Sequence, residues 1–191
     1  MQNIDYIYNT MCNSYNCNWE QNDNVNIVGI YPEDKIENIL MYFQTNLWTQ
    51  LSLPVYVEIS CNNPDIESIM NVHLYTEIIS QRVIRTPTIT KNGCSNFITG
   101  NNKYHKLTGK KLIIEGILKQ KIIYTAAITD KNLYSDYFSI PFSTFIMLPH
   151  NTPVTQKFKI DIVIENGLIS RVSERSMFGN TYLFIKANPI Y

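Results

Sequence analysis

The segments LIIEGIL (residues 112–118) and KIIYTAAI (121–128), followed by PFSTFIMLP (141–149), decide how this chain folds. The first two are rich in β-branched and aromatic residues and only Lys119 and Gln120 part them, so they are predicted to be paired strands. No catalytic group sits among them.

Outward from this block the pattern repeats. Downstream, strands are predicted over 134–140, 145–148, 158–165, 168–174 and 181–187, with Asn166 and Gly167 between two of them. An Asn-Gly pair so placed predicts a tight hairpin, since both residues tolerate the positive φ of a type I′ turn. Upstream, residues 48–60 alternate through Trp48, Leu51, Leu53, Val55, Val57 and Ile59 as one strand or two, and Pro54 marks an edge or a bulge. Pro64, Asp65 and Glu67 predict a turn or one helical turn, residues 72–90 alternate again, and Asn92, Gly93 and residues 99–109 form a long loop. A short helix is predicted over 32–43, where Ile36, Ile39, Leu40 and Phe43 recur at three and four residues behind Pro32, Glu33 and Asp34. Many short strands with frequent turn signals and almost no helical period give an all-β fold. The expectation is a β-sandwich of antiparallel strands with a short N-terminal helix and an extended N-terminal arm. No internal repeat is evident.

GILKQKIIYTA (116–126) followed by SIPFSTFIMLP (139–149) resembles the signature of the SPOCS domain, named for SipL and spore-coat-associated proteins of endospore-forming bacteria. WTQLSLPVYVEISCNNPDIESIM (48–70) is similar to the same family's entry segment, a strand followed by a Lys-Pro-Asp-Ile-Glu type motif. Cys61 stands where the family often has proline, and Asn63 where it usually has lysine. The resemblance runs from Trp48 to the C-terminus, which divides the chain into an arm and helix (1–47) and a SPOCS-like domain (48–191). It implies a coat or assembly role and no chemistry. No peptidoglycan-binding LysM repeat follows, so the expectation is a plain coat or exosporium subunit, not a SipL-like morphogenetic protein.

At 191 residues and 22.2 kDa the chain suits one domain that buries about 70% of its unfolded surface. Sixteen basic and sixteen acidic residues cancel, so no long-range field recruits nucleic acid or an anionic membrane, and little self-repulsion keeps copies apart. The N-terminus lacks a basic, apolar leader, and no apolar run approaches the ~18 residues that would span a bilayer. Synthesis in the cytoplasm follows; for a coat protein the resemblance makes that the mother cell.

The first 26 residues interleave asparagines with Tyr6, Tyr8, Tyr15 and Trp19 and cannot build a core of their own. The expectation is that this arm is held, either by the body of its own subunit or by a neighbour. Its anchors would be Ile4, Tyr6, Ile7, Tyr8, Tyr15 and Trp19. Cys12, Cys17, Cys61 and Cys94 are too scattered for a disulfide scaffold or a zinc site, and His73, His105 and His150 do not cluster with them. Cytosolic redox poise favours free thiols. The sharper alternative, motivated by the resemblance, is that Cys12 and Cys17 bond to each other or to a neighbouring subunit.

Catalytic patterns are weak. Asp65 with Glu67 and Asp161 with Glu165 read as solvated surface or a capped turn, the second pair sharing one strand face. Ser143 and Thr144 have no nucleophile elbow around them. Lys103, Tyr104, His105, Lys106, Lys110 and Lys111 read as a solvated basic turn before they read as a phosphate or single-strand site. The expectation is a non-enzymatic structural protein of the spore surface with no cofactor or metal, whose partners are copies of itself and other spore-coat proteins. Edge-strand pairing or arm docking would join the copies. The rival is a monomeric adaptor or glycan-binding module that recruits another coat component.

Overall fold

From Lys111 to Ala126 every even-numbered residue is buried and every odd-numbered one is partly or fully exposed. Unbroken period-two burial is the mark of one strand on a sheet with one covered face. The expected hairpin at Lys119 and Gln120 is therefore replaced by a single 17-residue strand, Lys110–Ala126, with both residues inside it. The reason is phase. A two-residue turn would set Leu118 and Lys121 on one face and turn Ile122 and Tyr124 outward, whereas the straight strand buries both.

The computed structural model describes residues 25–41, 47–87, 89–91, 94–96, 98–99, 106–128 and 132–190. In chain order the elements are β1 (Asn26–Val28), α1 (Glu33–Met41), β2 (Trp48–Glu58), β3 (Ile66–Arg85), β4 (Ile89–Lys91), β5 (Cys94–Asn96), β6 (Ile98–Thr99), β7 (Lys106–Leu107), β8 (Lys110–Ala126), β9 (Leu133–Met147), β10 (Phe158–Arg171) and β11 (Ser176–Pro189). The principal sheets are ordered β1-β3-β8-β9 and β10-β11-β2; β1 runs parallel to β3 and the other pairings are antiparallel. Within the expected long loop, the described residues form two short antiparallel pairs, β4–β5 and β6–β7.

The all-β sandwich stands, but its strands are long and few. The segments expected over 134–140 and 145–148 are one strand, β9, because Pro141 lies on an edge strand where no ladder donor is required. Pro54 likewise sits on β2, the edge of the other sheet. The expected Asn166-Gly167 turn is a one-residue register shift inside β10, and Gly167 is not at positive φ. Residues 172–175 make the turn instead, with Val172 and Ser173 both donating to the Ser176 carbonyl. The turn expected around Asp65 and Glu67 ends at Asp65, and Ile66 and Glu67 already belong to β3.

The core lies between the sheets. Ile66, Val72, Leu112, Ile114, Leu118 and Ile122 on one side meet Phe158, Met177, Leu183 and Ile185 on the other. Each such side chain contributes roughly 1.5–3 kcal/mol on burial. Gly116, opposite Phe142 on β9, leaves room for that ring: a Cβ there would lie 2.5 Å from Phe142 Cζ and 2.7 Å from the Glu77 carbonyl oxygen. At the β3 edge, Gly29 takes φ 107° where a Cβ would clash with the Leu74 carbonyl, and Tyr31 N–H then donates to the Ile164 carbonyl at 3.0 Å. The segment after β1 thereby ties the first sheet to β10.

Candidate functional site

The four-stranded sheet has one face on the core and one open. Odd positions of β8 and β9 line the open face: Lys111 stands opposite Met147, Ile113 opposite Phe145, Lys119 opposite Ser139 and Lys121 opposite Tyr137. From β3 come His73, opposite Lys121, and Tyr75, opposite Lys119. Tyr137 is 72% and Tyr75 63% exposed. Solvated sheet faces ordinarily carry small polar and charged side chains, whereas this one adds Ile113, Ile117, Ile123, Phe145 and two tyrosines.

Its charges are arranged in two ways. Arg82 meets Glu115 at 3.4 Å and Lys119 meets Glu77 at 2.5 Å. The hydrogen bond from Lys119 to Glu77, and then the Glu77 charge, hold the Lys119 ammonium above its ordinary pKa. Lys111 Nζ instead lies 3.9 Å from the Phe145 ring centroid and Lys121 Nζ 5.1 Å from that of Tyr137. Cations over rings keep the aromatic edges available while adding positive charge. Between these rows runs a groove of about 410 Å³ lined by Val28, His73, Tyr75, Lys119, Lys121 and Tyr137 among others. Such a surface offers stacking area, hydroxyl groups and cations, without a carboxylate pair facing a cleft.

The second organised feature is the β2–β3 connection, residues 59–65. Arg175 Nη1 donates to the Asn63 carbonyl at 3.2 Å and to Asp65 Oδ1 at 2.5 Å, and Nη2 donates to the Ser60 carbonyl at 2.7 Å. Asp136 accepts from Ser60 N–H at 2.9 Å and Asn63 Nδ2 at 2.8 Å. Tyr124, fully buried, donates to the Pro64 carbonyl at 3.3 Å and stacks on Tyr134. Burial raises its phenol pKa, with the Asp136 charge adding to the effect. The motif thus works as a knot closing one end of the sandwich. Asn63 serves it with its side-chain amide.

The residues that the sequence offered as candidates for chemistry disperse when the chain folds into these sheets. Asp65 is bound to Arg175, and Glu67 lies on β3. Asp161 accepts from Asn188 Nδ2 at 2.9 Å, and Glu165 from Gln50 Nε2 at 3.1 and 3.2 Å. Opposite Asp161, Lys186 is 2% exposed; burial lowers its pKa against the pull of that carboxylate. Ser143 is exposed opposite Glu115, and Thr144 is half-buried opposite Ile114. Of the basic segment, Lys103, Tyr104 and His105 lie outside the described residues; Lys110 donates to the Thr152 carbonyl, and Lys111 belongs to the open face. Cys61 is an exposed free thiol. The arm anchors Ile4, Tyr6, Ile7, Tyr8, Tyr15 and Trp19, with Cys12 and Cys17, lie outside the described residues.

Sequence reasoning missed the open face. The signal was present: odd positions of 111–125 and 133–147 carry isoleucine, phenylalanine, tyrosine and lysine, but they fall on one face only once 110–126 is read as a single strand. Among the described residues no group of three or more His, Cys, Asp or Glu is placed to hold a metal ion, and no helix is long and apolar enough to cross a membrane. A family model described as SipL, SPOCS domain matches residues 65–168, more than half of the 191-residue chain. It takes in β3, β8, β9 and the first part of β10, hence most of the open face. No curated protein and no solved structure matches the chain.

Proposed function

Because the chain belongs to the SipL, SPOCS domain family, which ties it to sporulation, we propose that it is a structural, self-assembling subunit of the endospore surface, in the coat, the exosporium or an appendage. The observation that carries this reading is the open sheet face. Two strongly exposed tyrosines and a half-exposed phenylalanine stand among half-buried isoleucines on a rigid, hydrogen-bonded sheet. Exposed apolar surface of this kind is used for protein contacts more often than it is left in water. The proposal includes no catalysis and no cofactor, and it places synthesis in the mother-cell cytoplasm.

Light scattering and negative-stain microscopy of the full chain over a wide concentration range test it. Fibres, lattices or defined oligomers are expected, while single particles at every concentration would sink self-assembly. The groove beside Tyr75 and Tyr137 favours one other reading, an adaptor that takes a glycan or an extended peptide of another coat component. Such a protein would stay monomeric and retain a heterologous coat partner in a pull-down.

A further inference from the structure

The open face carries Arg82, Lys111, Lys119 and Lys121 against Glu77 and Glu115, an excess of cations. Among the described residues Lys111 and Lys121 meet a ring and no carboxylate. A second copy of the same face would bring like charges together and is a poor occupant. Residues 1–24 are its complement: they contain Asp5, Glu20 and Asp23, no lysine or arginine, and the aromatic side chains of Tyr6, Tyr8, Tyr15 and Trp19. Resting on the self-assembly reading, we infer that residues 1–24 of a second copy occupy this face, with tyrosine or tryptophan rings against Tyr75 and Tyr137 and carboxylates on Lys111 and Lys121.

Chain direction argues for exchange between copies. β1 runs parallel to β3 with Asn26 beside Asn71 and Val28 beside His73. Asn26, the first residue of β1, thus lies on the Ser68 side of the groove at His73 and Tyr75. An arm that continued the direction of β1 would leave its own groove behind, whereas entry there would need a reversal. Directed outward, 24 residues span at most about 80 Å, ample for a neighbour. The arrangement is a tail leaving one subunit at a sheet edge and lying across the sheet of the next, with long-range attraction between acidic tail and basic face assisting encounter.

The test uses the full chain with Tyr137→p-benzoylphenylalanine, mixing isotopically heavy and light protein before irradiation and mapping the cross-linked peptides. Cross-links from position 137 to residues 1–24 of the other isotopic form are expected. Cross-links within one chain only, or to another segment, overturn the docking site while assembly, seen by scattering in the same sample, keeps the self-assembly reading. A sample that never assembles overturns both. In parallel, Lys111→Glu with Lys121→Glu should raise the concentration for half-assembly on the order of tenfold or more, and Asp5→Lys with Glu20→Lys and Asp23→Lys should restore it. Unchanged assembly of the charge-reversed face, its folding checked by circular dichroism, also overturns the inference.

Discussion

The two faces of β8 differ in what they do although they alternate along one strand. Inward, Leu112, Ile114, Leu118, Ile122 and Tyr124 are essentially without water contact, and outward, Lys111, Ile113, Lys119 and Lys121 stand in a half-wet row. The inner set is fixed by packing density, where even one methylene is felt. The outer set is under no such constraint, and under the self-assembly proposal its isoleucines and lysines, with the aromatic residues of β3 and β9 beside them, are the ones that would meet another chain. If the open face serves assembly as proposed, fold stability and assembly rest on opposite faces of the same sheet and should be separable by substitution.

The sharpest way to break that separation starts on the inner face. Leu118→Ala should cost about 2–5 kcal/mol in chemical denaturation, as removal of a fully buried side chain leaves a cavity. A value near zero would mean the sandwich core is not where the structure puts it. Next, Gly116→Val should cost about 1–3 kcal/mol or more, because Phe142 and the Glu77 backbone must move aside.

Tyr124→Phe should lose about 0.5–1.5 kcal/mol at neutral pH with the bond to the Pro64 carbonyl. Its pH dependence has a definite sign. The native phenol pKa is raised by burial, so the stability it contributes is complete below its ordinary value of 10.0 and is lost as pH climbs through the raised native value. Denaturation curves of parent and variant should therefore converge above about pH 10; a gap that widens there would contradict the buried phenol.

The smallest effect on stability is expected outside. Tyr75→Ser with Tyr137→Ser should shift the unfolding free energy by no more than about 0.5 kcal/mol each while reducing assembly. Loss of stability comparable to that of Leu118→Ala would erase the distinction between the faces.

Much of the fold was legible in the residues, and the misreadings are specific. Pro54 announced an edge or a bulge and the edge is what β2 forms, and Pro32 with Glu33 and Asp34 announced the helix, realised as Glu33–Met41. The false hairpin at Lys119 and Gln120 came from reading polarity as a turn. Gln120 is in fact a buried polar residue at an inward position, and the apolar residues on either side keep the same parity. The strands expected over 134–140 and 145–148 join into one, and only the strand order shows that β9 is at the edge, where Pro141 is tolerated. Of the candidate site, the aromatic and cationic residues were visible, but not their gathering on one face, which depends on His73, Lys121 and Tyr137 coming from three strands.

The alternation of the sequence by itself determined that the chain is all-β, because a strand turns its side chains over at each residue. Which side chains after Lys119 point inward was decided by the structure, since a turn at Lys119 and Gln120 and a straight strand put Ile122 and Tyr124 on opposite faces. Nor did the alternation decide between a turn and a bulge at Asn166 and Gly167. A two-residue hairpin and a one-residue bulge shift the phase alike, and both put Ile164 and Ile169 on the core side. The tertiary structure settled it, because β11 pairs with both halves of β10 and buries them against one core, a contact between distant residues that local pattern does not encode.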